Sequence, residues 1–193
     1  MATMGQREKL LEGAKRCLSE RGYAHTTARD IVAASDGANL GSIGYHYGST
    51  QGLLNAAMLS AIEEWGDAVG AALATGGGDE YGDPLVSYWR RTLSTLETHR
   101  ATWLASIEAM IQSEHSPELR GQIADGMQQG RSGLAAMLTG REEEGLDDGT
   151  VRSVGSVAMA LMSGVMIQWL IDPARAPSAE QVAAGIRALA VIG

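Results

Sequence analysis

The sequence predicts an all-α fold of about nine helices, and three observations carry that reading. Between Thr26 and Leu54, the stretch TTARDIVAASDGANLGSIGYHYGSTQGLL holds two short segments around Gly37, each behind a capping residue, and then a third start. Beyond residue 55, apolar residues recur at helical spacing and no alternating segment of useful length appears. Helix-start signals return at Asp83-Pro84, Ser116-Pro117-Glu118 and Pro177-Ser178.

Taken in order, Leu10, Ala14, Cys17 and Leu18 lie along one line of the first helix. Thr27 can cap a helix carrying Ile31, Val32 and Ala34. Asn39 can cap the next, with Ser42, Tyr45 and His46, and Ser49 a third. From Ser49 onward, Leu53, Leu54, Ala57, Met58, Ala61, Ile62, Trp65, Val69 and Leu73 form one face, which Gly76-Gly77-Gly78 ends. Asp83-Pro84 restarts a helix with Pro in its first turn, placing Leu85, Tyr88, Trp89, Thr92, Leu93 and Leu96 on one side. A shorter stripe follows at Trp103, Ile107, Met110 and Ile111. Ser116-Pro117-Glu118 opens a helix with Leu119, Ile123, Met127, Leu134, Met137 and Leu138. The acidic, Gly-containing stretch Glu142–Gly149 sets off two final helices. One runs from about Thr150 to Ile171 and is apolar over more than half its circumference, which predicts burial all round. The other begins at Pro177-Ser178, where Gln181 completes a capping box, and runs to Val191.

Two short helices around a glycine turn, with a third following, outline a helix-turn-helix, whose second helix enters the DNA major groove. The expected organisation is a helix-turn-helix domain over 1–50 and a helical regulatory domain over 51–193. The formal charge of −8 opposes DNA binding at first sight. Its distribution answers part of the objection. Residues 1–50 hold six basic and five acidic side chains, whereas the remainder holds nine and eighteen. The local balance of +1 is weak, so binding should be salt-sensitive and lean on neutral donors and helix N-termini.

The same stretch resembles the N-terminal signature of tetracycline-repressor-type (TetR) regulators. Gly22-Tyr23, Thr26-Thr27, Ile31, Gly37, Gly41-Ser42-Ile43, Tyr45-His46-Tyr47 and Ser49 carry the resemblance, over about residues 7–60. Two positions depart from it. Gly44 stands where the family most often has Tyr, with Tyr45 one place later. Thr50 stands where the family usually has Lys. The resemblance implies that Thr27 aims its hydroxyl and N–H at a phosphate, with Arg29 adding charge. Leu40, Gly41 and Ser42 would face the groove, where small side chains permit close approach to base edges. Tyr45 and His46 would contact the DNA backbone beside Thr50, and Ile43 and Tyr47 would pack inward. It further implies a ligand pocket over 51–140 and dimerisation helices over 147–192. The homodimer would pair two recognition helices on a palindromic double-stranded operator.

Trp65, Trp89, Trp103 and Trp169 fall on the apolar stripes of four helices, and six of the nine Met residues lie between 110 and 166. Aromatic and adaptable Met side chains suit a small apolar or aromatic effector. The candidate set is Trp65, Trp89, Trp103, Ile107, Met110, Met162, Met166 and Trp169, with plain core packing as the competing reading. Glu63, Glu64, Glu97 and Glu108 lie near these stripes and raise a cationic ligand, against solvated faces.

Other classes find little support. No apolar run of about 18 residues appears, so no membrane span is implied. The polar start MATMGQREKLLEG has no signal-peptide core, and the single Cys17 excludes an intramolecular disulfide framework, so a cytoplasmic protein is expected. His25, His46, His99 and His115 show no metalloprotease spacing, and no nucleophile elbow or P-loop occurs. The acidic cluster Glu142–Asp148 lacks a cation-loop pattern. No catalytic residue, metal or cofactor is expected. The sequence therefore reads as a ligand-responsive, homodimeric transcriptional regulator, with repression as the expected sign. The alternative is a helical small-molecule-binding or interaction protein with weak or lost DNA binding, which Thr50 and the low local charge favour.

Overall fold

The computed structural model describes residues 5–74 and 82–191, with side chains for 5–71 and 82–191. The predicted break at Gly76-Gly77-Gly78 lies outside the described residues. Among them are nine helices and no strand: α1 (Gln6–Arg21), α2 (Ala28–Ala34), α3 (Leu40–Tyr47), α4 (Thr50–Ala74), α5 (Pro84–Ser94), α6 (Arg100–Gln112), α7 (Pro117–Thr139), α8 (Asp148–Ile171) and α9 (Ala179–Leu189). The expected capping residues start them. Asn39 Oδ1 accepts from the Ser42 N–H at 3.0 Å, and Ser49 Oγ from that of Gly52 at 2.9 Å. Asp83 Oδ1 accepts from the Leu85 N–H at 3.1 Å, and Ser178 and Gln181 form a reciprocal capping box. Each such cap stabilises its helix by about 1 kcal/mol. Asp147 accepts from the Thr150 N–H at 2.9 Å and begins α8 ahead of the apolar run. Inside α8, Val151–Gly155 widens into a π-helical segment.

The described residues divide into two compact units. The first comprises residues 5–68 with Glu97–Gly121. Its core holds Leu10, Ala14, Cys17, Ile31, Ile43, Leu53 and Met58. Fully burying a side chain of the Leu, Ile or Met type contributes about 1.5–3 kcal/mol. Helix α1 packs on α2 through a glycine: a Cβ at Gly13 would lie 2.1 Å from Ser35 Oγ and 2.9 Å from the Ile31 carbonyl oxygen. Ser35 Oγ in turn donates to that carbonyl at 2.7 Å.

The second unit comprises the described part of Val69–Leu96 with residues 122–191. There α5 lies against α9, with Arg187 donating to both Asp83 oxygens at 2.7 and 2.8 Å, and Arg90 pairing with Glu180. The Arg187 guanidinium holds the Asp83 carboxyl below the usual carboxylate range. Helices α7 and α8 meet backbone to backbone, because a Cβ at Gly155 would lie 2.2 Å from the Arg131 carbonyl oxygen.

The all-round burial predicted for α8 is not met within one chain. Met162, Val165, Met166 and Leu170 are buried, but Val157, Ile167 and Ile171 are 60%, 47% and 80% exposed. One side packs inside the chain and the other stays open. The helix tolerates Arg152, Ser153, Ser156, Ser163 and Gln168 among its apolar residues. By length and composition alone it is long and apolar enough to cross a membrane, although no unbroken apolar run was read there.

Candidate nucleic-acid interface

The turn between α2 and α3 needs positive φ at Gly37 (+80°), and α3 ends at Gly48 (+73°), a backbone region where glycine carries no side-chain penalty. Between them, Ile43 points into the core while Leu40, Gly41 and Tyr45 face outward, with Tyr45 86% exposed. Ser42 and His46 are half-buried. The Tyr45 and His46 rings meet edge to face at 4.8 Å. A Cβ at Gly44 would meet nothing within 4 Å, so the missing family Tyr leaves open space. Thr50, half-buried, opens α4. Two residues on, a Cβ at Gly52 would sit 2.3 Å from the Tyr47 carbonyl oxygen, so α4 begins hard against the end of α3.

Thr27 is placed at the N-terminus of α2 as expected, but its donors already have a partner. Its N–H and hydroxyl donate to Asp30 Oδ2 at 2.9 and 2.5 Å, and Arg21 lies 3.1 Å from Asp30 Oδ1. The Thr27 hydrogen bonds, with Arg21 adding charge, hold the Asp30 carboxyl below the usual carboxylate range. A carboxylate of the chain itself thus takes the hydrogen bonds that the resemblance gives to a phosphate. Arg29 is exposed beside it.

Several contacts that order this surface were not legible in the sequence. Tyr47 Oη donates to the Arg7 carbonyl at 2.8 Å, and the Arg7 guanidinium lies 5.6 Å from the Tyr47 ring centre. Burial pushes the Tyr47 phenol up. Gln6 Nε2 donates to the Gly37 carbonyl at 3.4 Å. From α6, Glu108 Oε2 accepts from the N–H groups of Tyr23 and Ala24 at 2.6 and 3.2 Å. Gly22, at φ +80°, makes room: a Cβ there would lie 2.8 Å from Glu108 Oε1. Tyr23 Oη donates to Asn55 Oδ1 and accepts from Gln51 Nε2, inside the core. Only Gly22-Tyr23 gave any sign of these links, since their partners lie 28 to 85 residues away.

The candidate ligand residues divide between the units. In the first, Trp65 and Trp103 meet edge to face at 4.5 Å, Ile107 is half-buried, and Met110 is 55% exposed at the surface. In the second, Trp89, Met162 and Met166 are buried and Trp169 is half-buried; Tyr88 meets Trp89 edge to face at 5.5 Å. The indole N–H groups of Trp89 and Trp103 are buried without a hydrogen-bond partner. A crevice between α1, α4 and α6, edged by Lys15, Met58, Ala61, Thr102 and Ala105, measures about 20 Å³. None of the eight candidates lines it. Glu63 and Glu97 are exposed, Glu64 pairs with Lys15, and Glu108 holds the Tyr23 turn, so no carboxylate of the four is set aside for a cation. Among the described residues no group of three His, Cys, Asp or Glu side chains could hold a metal ion.

An outward α3 capped by Asn39, seated on α2 across a glycine turn and braced by α1 and α4, defines a helix-turn-helix DNA-binding protein. Residues 10–57 match the family described as bacterial regulatory proteins, tetR family, and residues 82–191 match the tetracyclin repressor-like, C-terminal domain. The second match alone spans more than half of the chain, and the protein belongs to the TetR family of transcriptional regulators. Solved structures agree in fold. A transcriptional regulator from Rhodococcus sp. RHA1 is 22% identical, with 98% of this chain and 97% of that one covered and a TM-score of 0.73. A regulator from Saccharomonospora viridis in complex with choline is 22% identical over 95% and 94%, at 0.65. The multidrug binding protein EbrR complexed with proflavin is 22% identical over 95% and 99%, at 0.66. No curated protein matches the sequence.

Proposed function

We propose that the protein is a homodimeric, ligand-responsive repressor, released from a palindromic operator by a small apolar or aromatic molecule. The open apolar face of the last two helices carries the reading: Val157, Ile167, Ile171, Leu189 and Val191 are all uncovered in one chain. Large apolar side chains left uncovered in this number mark an interaction surface. Covering it with a second copy gains about 25 cal/mol per Å² of apolar surface removed from water. A two-fold partner also supplies the second recognition helix that a palindrome requires.

On DNA, Leu40, Gly41 and Ser42 read base edges, while Arg29, Tyr45, His46 and Thr50 hold the backbone, with Thr27 joining them once its donors leave Asp30. The effector is neutral or weakly polar, because the carboxylates near the Trp stripes are exposed or already bonded. Two solved relatives in complexes with choline and proflavin support a sensor role for this fold. Ligand entry repositions α4, whose first turn abuts the Tyr47 carbonyl, and α6, whose Glu108 holds the Tyr23 turn. DNA must then weaken ligand affinity by the same factor as ligand weakens DNA affinity. Such a regulator works in the cytoplasm, where the DNA is.

Fluorescence polarisation with the duplex upstream of the protein's own gene tests the reading. The expected result is sequence-dependent binding that Tyr45→Ala weakens while the dimer stays intact. Binding insensitive to sequence at moderate salt overturns it. The Asp30 carboxylate on Thr27 and the missing charge at Thr50 favour a second reading, a ligand-binding protein with weak or lost DNA binding. A wild type that binds a small aromatic ligand but not this duplex would select that one.

A further inference from the structure

We propose that Arg7, on the first turn of α1, is a phosphate-binding residue of the DNA-reading surface. The inference rests on the regulator reading and adds a contact to it. Of the six basic side chains in residues 1–50, Lys15 is committed to Glu12 and Glu64 and Arg21 to Asp30. Among the described residues, Lys9 and Arg29 join no such pair but have no aromatic ring beneath them as Arg7 has. The Arg16 guanidinium donates to the Ala34 carbonyl. Arg7 is exposed, and among the described residues it makes no ion pair. Its neighbour Glu8 is turned back, with a carboxylate oxygen accepting from the Gly5 N–H at 3.0 Å.

Arg7 is also held in place. Its carbonyl accepts from Tyr47 Oη at 2.8 Å and its guanidinium lies over the Tyr47 ring at 5.6 Å. One residue earlier, Gln6 reaches the Gly37 carbonyl, so the first turn of α1 is tied to both the turn before α3 and the last turn of α3. A guanidinium stacked on an aromatic face keeps its N–H fork available to oxygen acceptors while losing rotamer freedom in advance. A group flanking the end of a helix seated in the major groove meets the phosphates that wall the groove. Arg is suited to that partner because its donors match phosphate oxygens two at a time. On a surface whose local balance is only +1, one pre-placed cation per subunit is a large share of the electrostatic attraction.

The test measures the affinity of the full chain for a pool of random-sequence duplexes, and for the tightest binder selected from that pool, across a salt series. Arg7→Ala should weaken both by a similar factor, and it should flatten the slope of log affinity against log salt by about 0.9 per subunit. Arg7→Lys, which keeps the charge, should retain the slope. Tyr47→Phe, which keeps the ring and removes the hydroxyl tether, should fall between wild type and Arg7→Ala. Equal slopes for Arg7→Ala and wild type overturn the inference. So does a loss confined to the selected duplex, which would make Arg7 a base contact. A wild type that binds neither duplex at any salt overturns the regulator reading and this inference with it.

Discussion

On α3 the exposed large side chains are Leu40 and Tyr45, separated by Gly41 and Gly44 and followed by Gly48. On α8 they are Val154, Val157, Ile167 and Ile171, and Leu189 at the end of α9 and Val191 just past it are exposed as well. The first surface is sparse, polar at its edges and capped by Asn39. The second carries more large aliphatic side chains, with Arg152 and Gln168 exposed on the same helix and Ser153 returning its hydroxyl to the helix backbone. Exposure alone therefore says little; what surrounds the exposed group decides the partner. Isolated side chains among glycines suit a hydrated groove just wide enough for one helix, whereas a face rich in aliphatic side chains suits another of the same kind.

The sharpest way to break this contrast is to place charge on the α8 face. Val157→Glu with Ile171→Glu should raise the dimer dissociation constant by about 100-fold or more, since buried carboxylates are left unpaired. Sedimentation at graded concentration reads this, and an unchanged dimer would remove α8 from the interface. Glycine substitutions come next and differ between the units. Gly155→Ala drives a methyl into the Arg131 carbonyl, a backbone group that has no rotamer to give, and should lose about 2–3 kcal/mol in urea unfolding. Gly13→Ala meets the Ser35 hydroxyl first, which can turn away, and then the Ile31 carbonyl oxygen at 2.9 Å, a looser clash than at Gly155, and should lose about 1–2 kcal/mol. The reverse order would show that the reading unit is the more tightly packed of the two.

Glu108→Ala removes a charge-assisted acceptor shared by two N–H groups and should lose about 1–2 kcal/mol, with faster hydrogen exchange at Tyr23 and Ala24. Unaltered exchange at those amides would mean the turn holds without α6. Asp30→Asn keeps an oxygen for the Thr27 cap but removes a negative charge from the proposed DNA-reading surface. Its expected effect is a few-fold gain in DNA affinity at fixed salt, from one repulsion removed.

Smallest of all is an acid effect. Asp30, Asp83 and Asp147 are held below the usual carboxylate range by hydrogen bonds, led by Thr27, Arg187 and Thr150 respectively. The stability they add is complete above that range and fades as pH falls through it, because protonation then favours the unfolded chain. Thermal midpoints taken from neutral pH down to about pH 3 should therefore drop, and Asp83→Asn should shrink the drop. A midpoint that rises on acidification would contradict these assignments.

Local signals carried most of the fold. Asn39, Ser49, Asp83-Pro84 and the Ser178/Gln181 box each act within three residues of a helix start, so the sequence displays both partners side by side. The outward and inward faces of α3 were legible for the same reason, since Ile43 and Tyr45 differ by two positions on one helix. Contacts across the chain were not. Arg7 on Tyr47 and Glu108 on Tyr23 depend on where helices cross, and no spacing announces a crossing. Thr27 caps α2 as its position predicts, and Asp30, three places on and within capping reach, competes for its donors. Met110 shows the limit of periodicity: its stripe is real, yet α6 is narrowly buried and leaves it at the surface.

The wide turn in α8 has a consequence for the length of the chain. Over Val151–Gly155 the backbone ladder accommodates one residue more than a regular turn would use. Deleting a single residue there would let the helix close into an ordinary spiral without breaking it. The Asp147-capped start would then keep its bearing around the axis relative to Val157 and Ile167, because the wide turn already absorbs the extra residue. The helix can thus lose one codon there while its capped start and its apolar face both stay where they are.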